Sequence, residues 1–251
     1  MQDEIWIWGR HPVLESVRTR AATEVLISTG LAPSHVLRDI RGLARRNGIT
    51  VHDVPAADLQ RRFPGEVTQG VAARSLGPAE LTLDALTREI RSGRTTFVLA
   101  LDQVQDPHNL GALLRTSLAA GVEAVLLPDR RSAPLSGTVA KASAGAMSQV
   151  RIVYVANFAR GLASLSDAGL WTVGLDADGE QPLFDTDLTL PLALVIGGEQ
   201  KGLRRLSREQ CQMLAHLPLL GAVESLNASV AGSIAMYEVV RQRGVVDQAQ
   251  T

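Results

Sequence analysis

Asn109 and Arg115 lie in a short polar segment, QDPHNLGALLRT, that follows a continuous apolar run, FVLALDQV. The run reads as a buried strand and the leucine spacing after it as a helix, so both residues fall where a strand hands over to a helix. Open parallel sheets bind ligands at such strand ends. The turn has one glycine, Gly111, and no lysine, so it is not the glycine-rich loop that cradles a nucleotide phosphate. It offers an amide, which donates and accepts, and a guanidinium, whose fork matches phosphate. Asp106 suits the N-cap and Pro107 the first helical position. Leu110, Leu113, Leu114 and Leu118 form the expected buried stripe, and Arg115 falls off it, able to reach over the turn.

Two further turns carry polar groups at strand ends. In ALVIGGEQKGL (193–203) a buried strand ends in Gly197 and Gly198, which let a ligand lie against the backbone. Glu199 follows where a helix is expected, and there a carboxylate serves either the helix dipole or chemistry. In HLPLLGAVESLNASVAGSIAMYEVVRQR (216–243) a short strand and Pro218 lead into a loop from Gly221 to Ser225. Asn227 fits a helix N-cap and Ser225 a turn, as well as either fits a site. The helix then opens with Ala228, Ser229, Ala231, Gly232 and Ser233, residues small enough for backbone to pack on backbone.

These turns need a scaffold, and the alternation of elements supplies one. Strands are predicted at 97–104, 122–127, 151–155, 171–175, 192–197 and near 214–218. Helices are predicted at 109–120, 136–147, 157–168, 201–213 and 228–243. The strands are apolar on both faces, which argues an α/β fold with a parallel sheet covered on both sides. Ahead of it, helices at 11–20 and 34–46, the latter capped by Ser34, alternate with strands at 24–29, 49–54 and 71–76. The expected organisation is a first domain over 1–77, a linker over 78–94, a second domain over 95–246 and a frayed tail over 247–251.

With 45% hydrophobic residues among 251, a packed core is available. No apolar run approaches the ~20 residues of a membrane span, and the N-terminus, MQDEIWIWGR, has no basic stretch of the kind that opens a signal peptide. Cys211 is the only cysteine, which excludes an intrachain disulfide and a cysteine-based zinc site. His11, His35, His52, His108 and His216 are too scattered to suggest any metal site. Together these favour a cytoplasmic protein. A net charge of −1 gives no global attraction to nucleic acid. Residues 1–77 hold ten Arg against eight acids and residues 78–251 fifteen basic residues against eighteen acids, so the later part is the more acidic. Only Lys141 and Lys201 are lysines, and Lys141 reads either as a phosphate contact or as an exposed helix lysine.

The three turns taken together, N-x-G-x-x-x-R-T, then I-G-G-E-x-x-G-L, then L-P-x-x-G-x-x-x-S-L-N-x-S-V-A, resemble in order and spacing the three motifs of the SpoU (TrmH-type) RNA 2′-O-ribose methyltransferases. WGRHPVLESV and VTQGVAA resemble the L30e-like substrate-binding domain of the subgroup that modifies a guanosine ribose in 23S ribosomal RNA. The resemblance implies a SPOUT fold with a C-terminal trefoil knot, S-adenosyl-L-methionine as cofactor, RNA as partner, and a homodimer. It implies cofactor contacts from Gly197, Gly198, Leu217 and Leu226. It implies a catalytic set of Arg115, Asn109, Glu199, Ser225 and Asn227. Arg115 would position the ribose hydroxyl and its phosphate, because arginine keeps its proton. Asn109 and Asn227 would orient substrate and Arg115; Glu199 would pair with Arg115 or a bound ribose, and Ser225 would line the transfer site. Two positions depart from the family pattern: Thr68 stands where a histidine is usual, and Ser148 near where a glutamate is. A transfer-RNA substrate, a catalytically silent RNA-binding protein and a nucleotide-dependent oxidoreductase are the competing readings. The last lacks both a glycine-rich first turn and the acid expected after a second strand.

Overall fold

The structure is a computed structural model and describes residues 4–199 and 201–249, with side chains up to residue 244. The chain divides into two compact units. One comprises 1–79 with 134–149, and the other 80–133 with 150–251.

The first unit opens with β1 (Glu4–Trp8), α1 (Arg10–Arg18), β2 (Ala22–Ser28), α2 (His35–Asn47), β3 (Thr50–Val54), α3 (Ala56–Arg62) and β4 (Val71–Leu76). Its four strands run in the order β1-β4-β2-β3, with β2 and β3 parallel and the other pairs antiparallel. Ser34 caps α2 as expected, its side chain accepting from the Leu37 amide. Strand β1 and helix α3 were not predicted. The reason is that IWIW is apolar on both faces: Trp6 and Trp8 pack on one side with Phe63, Leu59 and Leu26 beneath α3, and Ile7 is buried on the other, so no polar alternation marks the strand.

The second unit contains β5 (Ala79–Glu80) at its start, α4 (Leu83–Arg91), β6 (Phe97–Asp102), α5 (Pro107–Ala119) and β7 (Ala124–Pro128). After α6 (Gly137–Ala142), which belongs to the first unit, come β8 (Arg151–Val155), α7 (Phe158–Asp167), β9 (Trp171–Leu175) and β10 (Gln181–Pro182). The unit ends with β11 (Leu192–Gly197), α8 (Arg205–Arg208), β12 (Met213–His216) and α9 (Ala228–Ala249). The sheet order is β10-β12-β9-β11-β6-β7-β8-β5, and the pairings among β6 to β12 are parallel. Every residue of β6, β7 and β11 is buried. One face, with Val98, Ala100, Leu126, Val153 and Val195, packs on α4 and α7 residues such as Leu86, Phe158 and Leu162. The opposite face receives α5 and α9, where Gly232 lies against Leu113 and Ile196. From β6 the chain steps outward through β7 and β8 and later returns to β9, β12 and β11 on the other side. The order therefore reverses between β6 and β11, where Asp102 and Gly197 stand in register. Ligands bind at this kind of switch point.

Three expectations need correction. The helix expected over 136–147 is only Gly137–Ala142, because Ala144 and Gly145 turn to positive φ, and a 3₁₀ turn follows at Ala146–Gln149. The helix expected over 201–213 shrinks to Arg205–Arg208, since Gly202 has φ +59° and Gln212 exchanges hydrogen bonds with Thr172 of β9. Helix α9 runs on to Ala249 rather than ending at 243, and residues 250 and 251 of the expected tail lie outside the described residues.

Candidate functional site

All three polar turns meet at the carboxyl ends of β6, β9 and β11. Asp106 caps α5, accepting from the His108 amide at 2.8 Å, and Pro107 takes the first helical position. This fixes Asn109 in the first turn, facing inward with only 6% of its surface exposed. Leu110, Leu113 and Leu114 are fully buried as the stripe predicts, whereas Leu118, expected with them, is 37% exposed. Arg115 lies off the stripe, exposed, and makes no hydrogen bond or ion pair among the described residues.

The glycines of the second turn have a packing role beside the one their type suggests. A Cβ on Gly197 would collide with the backbone of Gly202 and Leu203, and one on Gly198 with the Gln103 carbonyl. Backbone packs against backbone here because the 198–202 loop folds back on itself, bridging Gly198 to Gly202. That reversal is what requires the left-handed backbone of Gly202. Asp102, at the tip of β6 and fully buried, holds the loop's far end. It accepts from the Arg204 amide at 3.1 Å and pairs with the Arg204 guanidinium at 2.6 Å. Neither Asp102 nor Arg204 was singled out from the sequence; an acid ending a wholly apolar strand is the signal that could have found it.

The folded-back loop carries Glu199 in a turn, not at the start of a helix as expected. Its carboxylate accepts from the Asn109 side-chain amide at 2.8 Å and from the amides of Gln105 and Asp106, both at 3.4 Å. Glu199 and Arg115 form no ion pair in this structure. On its other side Asn109 Oδ1 accepts from Asn227 Nδ2 at 2.9 Å. Asn227 in turn caps α9 through the Ser229 and Val230 amides, at 2.8 and 3.3 Å. Ser229, which the sequence suggested only as a small packing residue, places its hydroxyl 2.7 Å from Asn227 Oδ1 and 3.1 Å from Asn109 Oδ1. One hydrogen-bonded chain, Glu199–Asn109–Asn227–Ser229, thus ties the three turns together. Such a chain fixes every amide orientation in it, since a carboxylate can only accept.

Beside this chain is a cavity of about 340 Å³. Gly197, Gly198, Leu217 and Leu226 line it, as do Glu199 and Ser225. Asp176 at the end of β9 also faces it and is held by Arg208 at 3.0 Å. Asn109, Arg115 and Asn227 are not among its lining. Of the expected site residues, then, one group shares the cavity, a second forms the hydrogen-bonded chain at its border, Glu199 belongs to both, and Arg115 belongs to neither.

Residues 96–237, more than half of the chain, match the SpoU rRNA Methylase family profile. The chain belongs to the SpoU rRNA methylase family. A second profile, for RNA 2′-O ribose methyltransferase substrate binding, matches residues 6–76 of this SpoU protein. It is 46% identical over 244 residues to the 23S rRNA (guanosine-2′-O-)-methyltransferase RlmB of Xanthomonas axonopodis pv. citri, covering 95% of this chain and 96% of that one. To the protein of the same name from Xylella fastidiosa it is 42% identical, covering 96% and 98%. Among solved structures, the SpoU methyltransferase AviRb from Streptomyces viridochromogenes, in complex with AdoMet, superposes with a TM-score of 0.76 at 26% identity, covering 96% of this chain and 91% of AviRb.

Proposed function

We infer that this SpoU protein transfers a methyl group from S-adenosylmethionine to the 2′-hydroxyl of a ribose in RNA, the target being a guanosine of 23S ribosomal RNA. Relatives named for that activity match nearly the whole chain, and a structural relative binds AdoMet. The observation that carries the reading is the junction at Glu199, where a cofactor-sized cavity meets the Asn109–Asn227 chain.

The cavity fits the cofactor. Its volume falls within the roughly 300–1,000 Å³ of small-molecule sites. Leu175, Ile196, Leu217 and Leu226 give it apolar walls for a base, and the exposed backbone of the glycine turn gives polar partners. When bound, S-adenosylmethionine supplies an electrophilic methyl group on a sulfonium. The chain's own part is to present the hydroxyl. Arg115, unpaired among the described residues and outside the buried stripe, holds the ribose hydroxyl and its neighbouring phosphate. Asn109 is oriented from both sides and offers a fixed amide edge to the substrate, while Asn227 and Ser229 lock it. Ser225 lines the transfer site. Glu199 fastens the cofactor loop to the substrate helix, so that both reactants are set by one carboxylate.

The SPOUT knot and the L30e-like character of the first unit are part of this proposal. The return of α9 onto α5, where Thr116 and Ser233 hydroxyls meet at 3.0 Å, supports it. A homodimer is supported by the exposed apolar side chains Val230, Ile234 and Tyr237, which repeat along one face of α9, and by Leu118 on the adjoining α5. Among the described residues no helix is long and apolar enough to cross a membrane, and a cytoplasmic location accords with the ribosomal RNA substrate. Thr68 and Ser148, the two departures, bond to local backbone: the Thr68 hydroxyl accepts from the Gly70 amide and the Ser148 hydroxyl donates to the Gly145 carbonyl. They are no part of the chain around Asn109.

Tritium transfer from labelled S-adenosylmethionine to 23S ribosomal RNA tests the reading. Arg115→Ala should lower transfer by at least roughly 10²-fold and leave cofactor binding by calorimetry intact. Near-normal turnover in that variant would remove Arg115 from the mechanism, and label appearing only in transfer RNA would move the substrate.

A further inference from the structure

The second unit must hold a polyanion although its charge opposes one: residues 80–133 and 150–251 carry fourteen basic residues against eighteen acids. Attraction to RNA therefore has to be local, from cations that no carboxylate neutralises. At the carboxyl ends of the strands Arg204 is taken by Asp102 and Arg208 by Asp176. Lys201 lines the cofactor cavity. Apart from Arg115, this leaves the lone Arg160 in the first turn of α7 and the loop after β7, with the sequence PDRRSA. It carries Arg130 and Arg131, both exposed and without an ion pair among the described residues, against a single acid, Asp129.

The loop is fastened to the turn that follows β6. The Ala133 amide donates to the Val104 carbonyl at 2.9 Å and the Ser132 hydroxyl to the same carbonyl at 3.3 Å. The next residue, Gln105, donates its amide to Glu199. Arg131 is thus a few bonds from the chain that orients Asn109. Its own backbone lies in the left-handed region, φ +65°, which costs a non-glycine residue free energy and persists only where the surroundings impose it. Gln103, on the adjacent turn, shares that conformation at φ +64°.

We propose that Arg130 and Arg131 are a phosphate clamp, gripping the RNA strand that places its ribose against Asn109 and Arg115. This rests on the RNA-methylation reading and names the residues that supply its affinity. Two adjacent guanidiniums span neighbouring phosphates better than lysines do, because each presents a planar fork of donors. Their contribution is electrostatic and indifferent to base identity.

The test uses the full chain and in vitro transcribed 23S ribosomal RNA. Arg130→Ala combined with Arg131→Gly removes both guanidiniums, and glycine keeps the left-handed backbone unstrained. The KM for RNA should rise about tenfold or more, and the slope of log affinity against log salt should fall by about 1–2. Calorimetric affinity for S-adenosylmethionine should stay within twofold, which also reports that the variant folds. Arg130→Lys with Arg131→Lys should keep most of the salt slope. Arg88→Ala with Arg91→Ala, exposed in the last turn of α4 at the opposite end of the sheet, should change nothing. An unchanged KM and slope in the first variant overturns the clamp, as does an equal loss in the lysine pair or in the α4 pair. If the wild-type protein labels no RNA at all, the function itself fails and the clamp with it.

Discussion

The two sheets of this molecule are held by different kinds of charge. In the first unit the ion pairs are at the surface. Arg41 pairs with Asp53, Arg61 with Asp58, and Arg74 with both Glu4 and Glu24. In the second, several carboxylates are sunk in the structure and meet arginines at its rim: Asp102 with Arg204, Asp176 with Arg208, Glu238 with Arg241. Exposed pairs contribute little because water and salt screen them. A buried carboxylate must keep its partners or stand uncompensated, so it fixes loop positions instead of merely decorating them. The functional turns are built with the second kind.

That contrast can be broken at several points. The largest effect is expected from Gly197→Val, which drives a side chain into the Gly202 backbone. Cofactor binding should fall beyond detection in calorimetry, and retained affinity would mean that the loop can open without loss. Next, Asp102→Ala takes away the acceptor of the Arg204 amide and frees the loop. We expect a loss of roughly 2–3 kcal/mol in denaturant unfolding, with a raised KM for the cofactor. A loss confined to stability would limit the pair to folding.

Acid supplies a subtler probe. Arg241, with Gln242, holds the Glu238 carboxyl below its ordinary range. A lowered folded-state pKa gives stability that is present above the unfolded value and is lost as pH falls through the folded one. Melting temperature should therefore drop between about pH 5 and pH 3, and Glu238→Gln should flatten that drop. An equally steep profile in the variant assigns it elsewhere. The smallest effect belongs to the first unit. Arg41 likewise lowers the Asp53 carboxyl, yet Asp53→Ala should cost less than about 1 kcal/mol, because the pair is exposed. A larger loss would erase the distinction between the two sheets.

Legibility followed distance along the chain, not the divide between the two sheets. Strand Leu192–Gly197 and the caps of α2 and α5 were readable from residue type and spacing, because burial and capping act over a few residues. Strand Glu4–Trp8 was not, since after Glu4 it is apolar on both faces and shows no polar alternation. The short α8 and the placement of 134–149 with the first unit were also hidden, because both follow from contacts far along the chain. Ser229 and Asp102 belong with these. Ser229 suggested only packing and Asp102 lay unremarked inside the strand predicted over 97–104; their partners are about a hundred residues away.

By itself, then, the sequence determined the alternating α/β pattern, the three polar turns and the residue types each would present. These are local properties of hydrophobic period, turn chemistry and order along the chain. Only the tertiary structure decided that Glu199 grips Asn109 rather than Arg115, that Gly197 faces backbone as well as a cavity, and that the loop carrying Arg130 and Arg131 is fastened to the turn after β6. The physical reason is that each depends on which strands lie side by side, and β6 and β11, so distant in sequence, are neighbours only in the folded sheet.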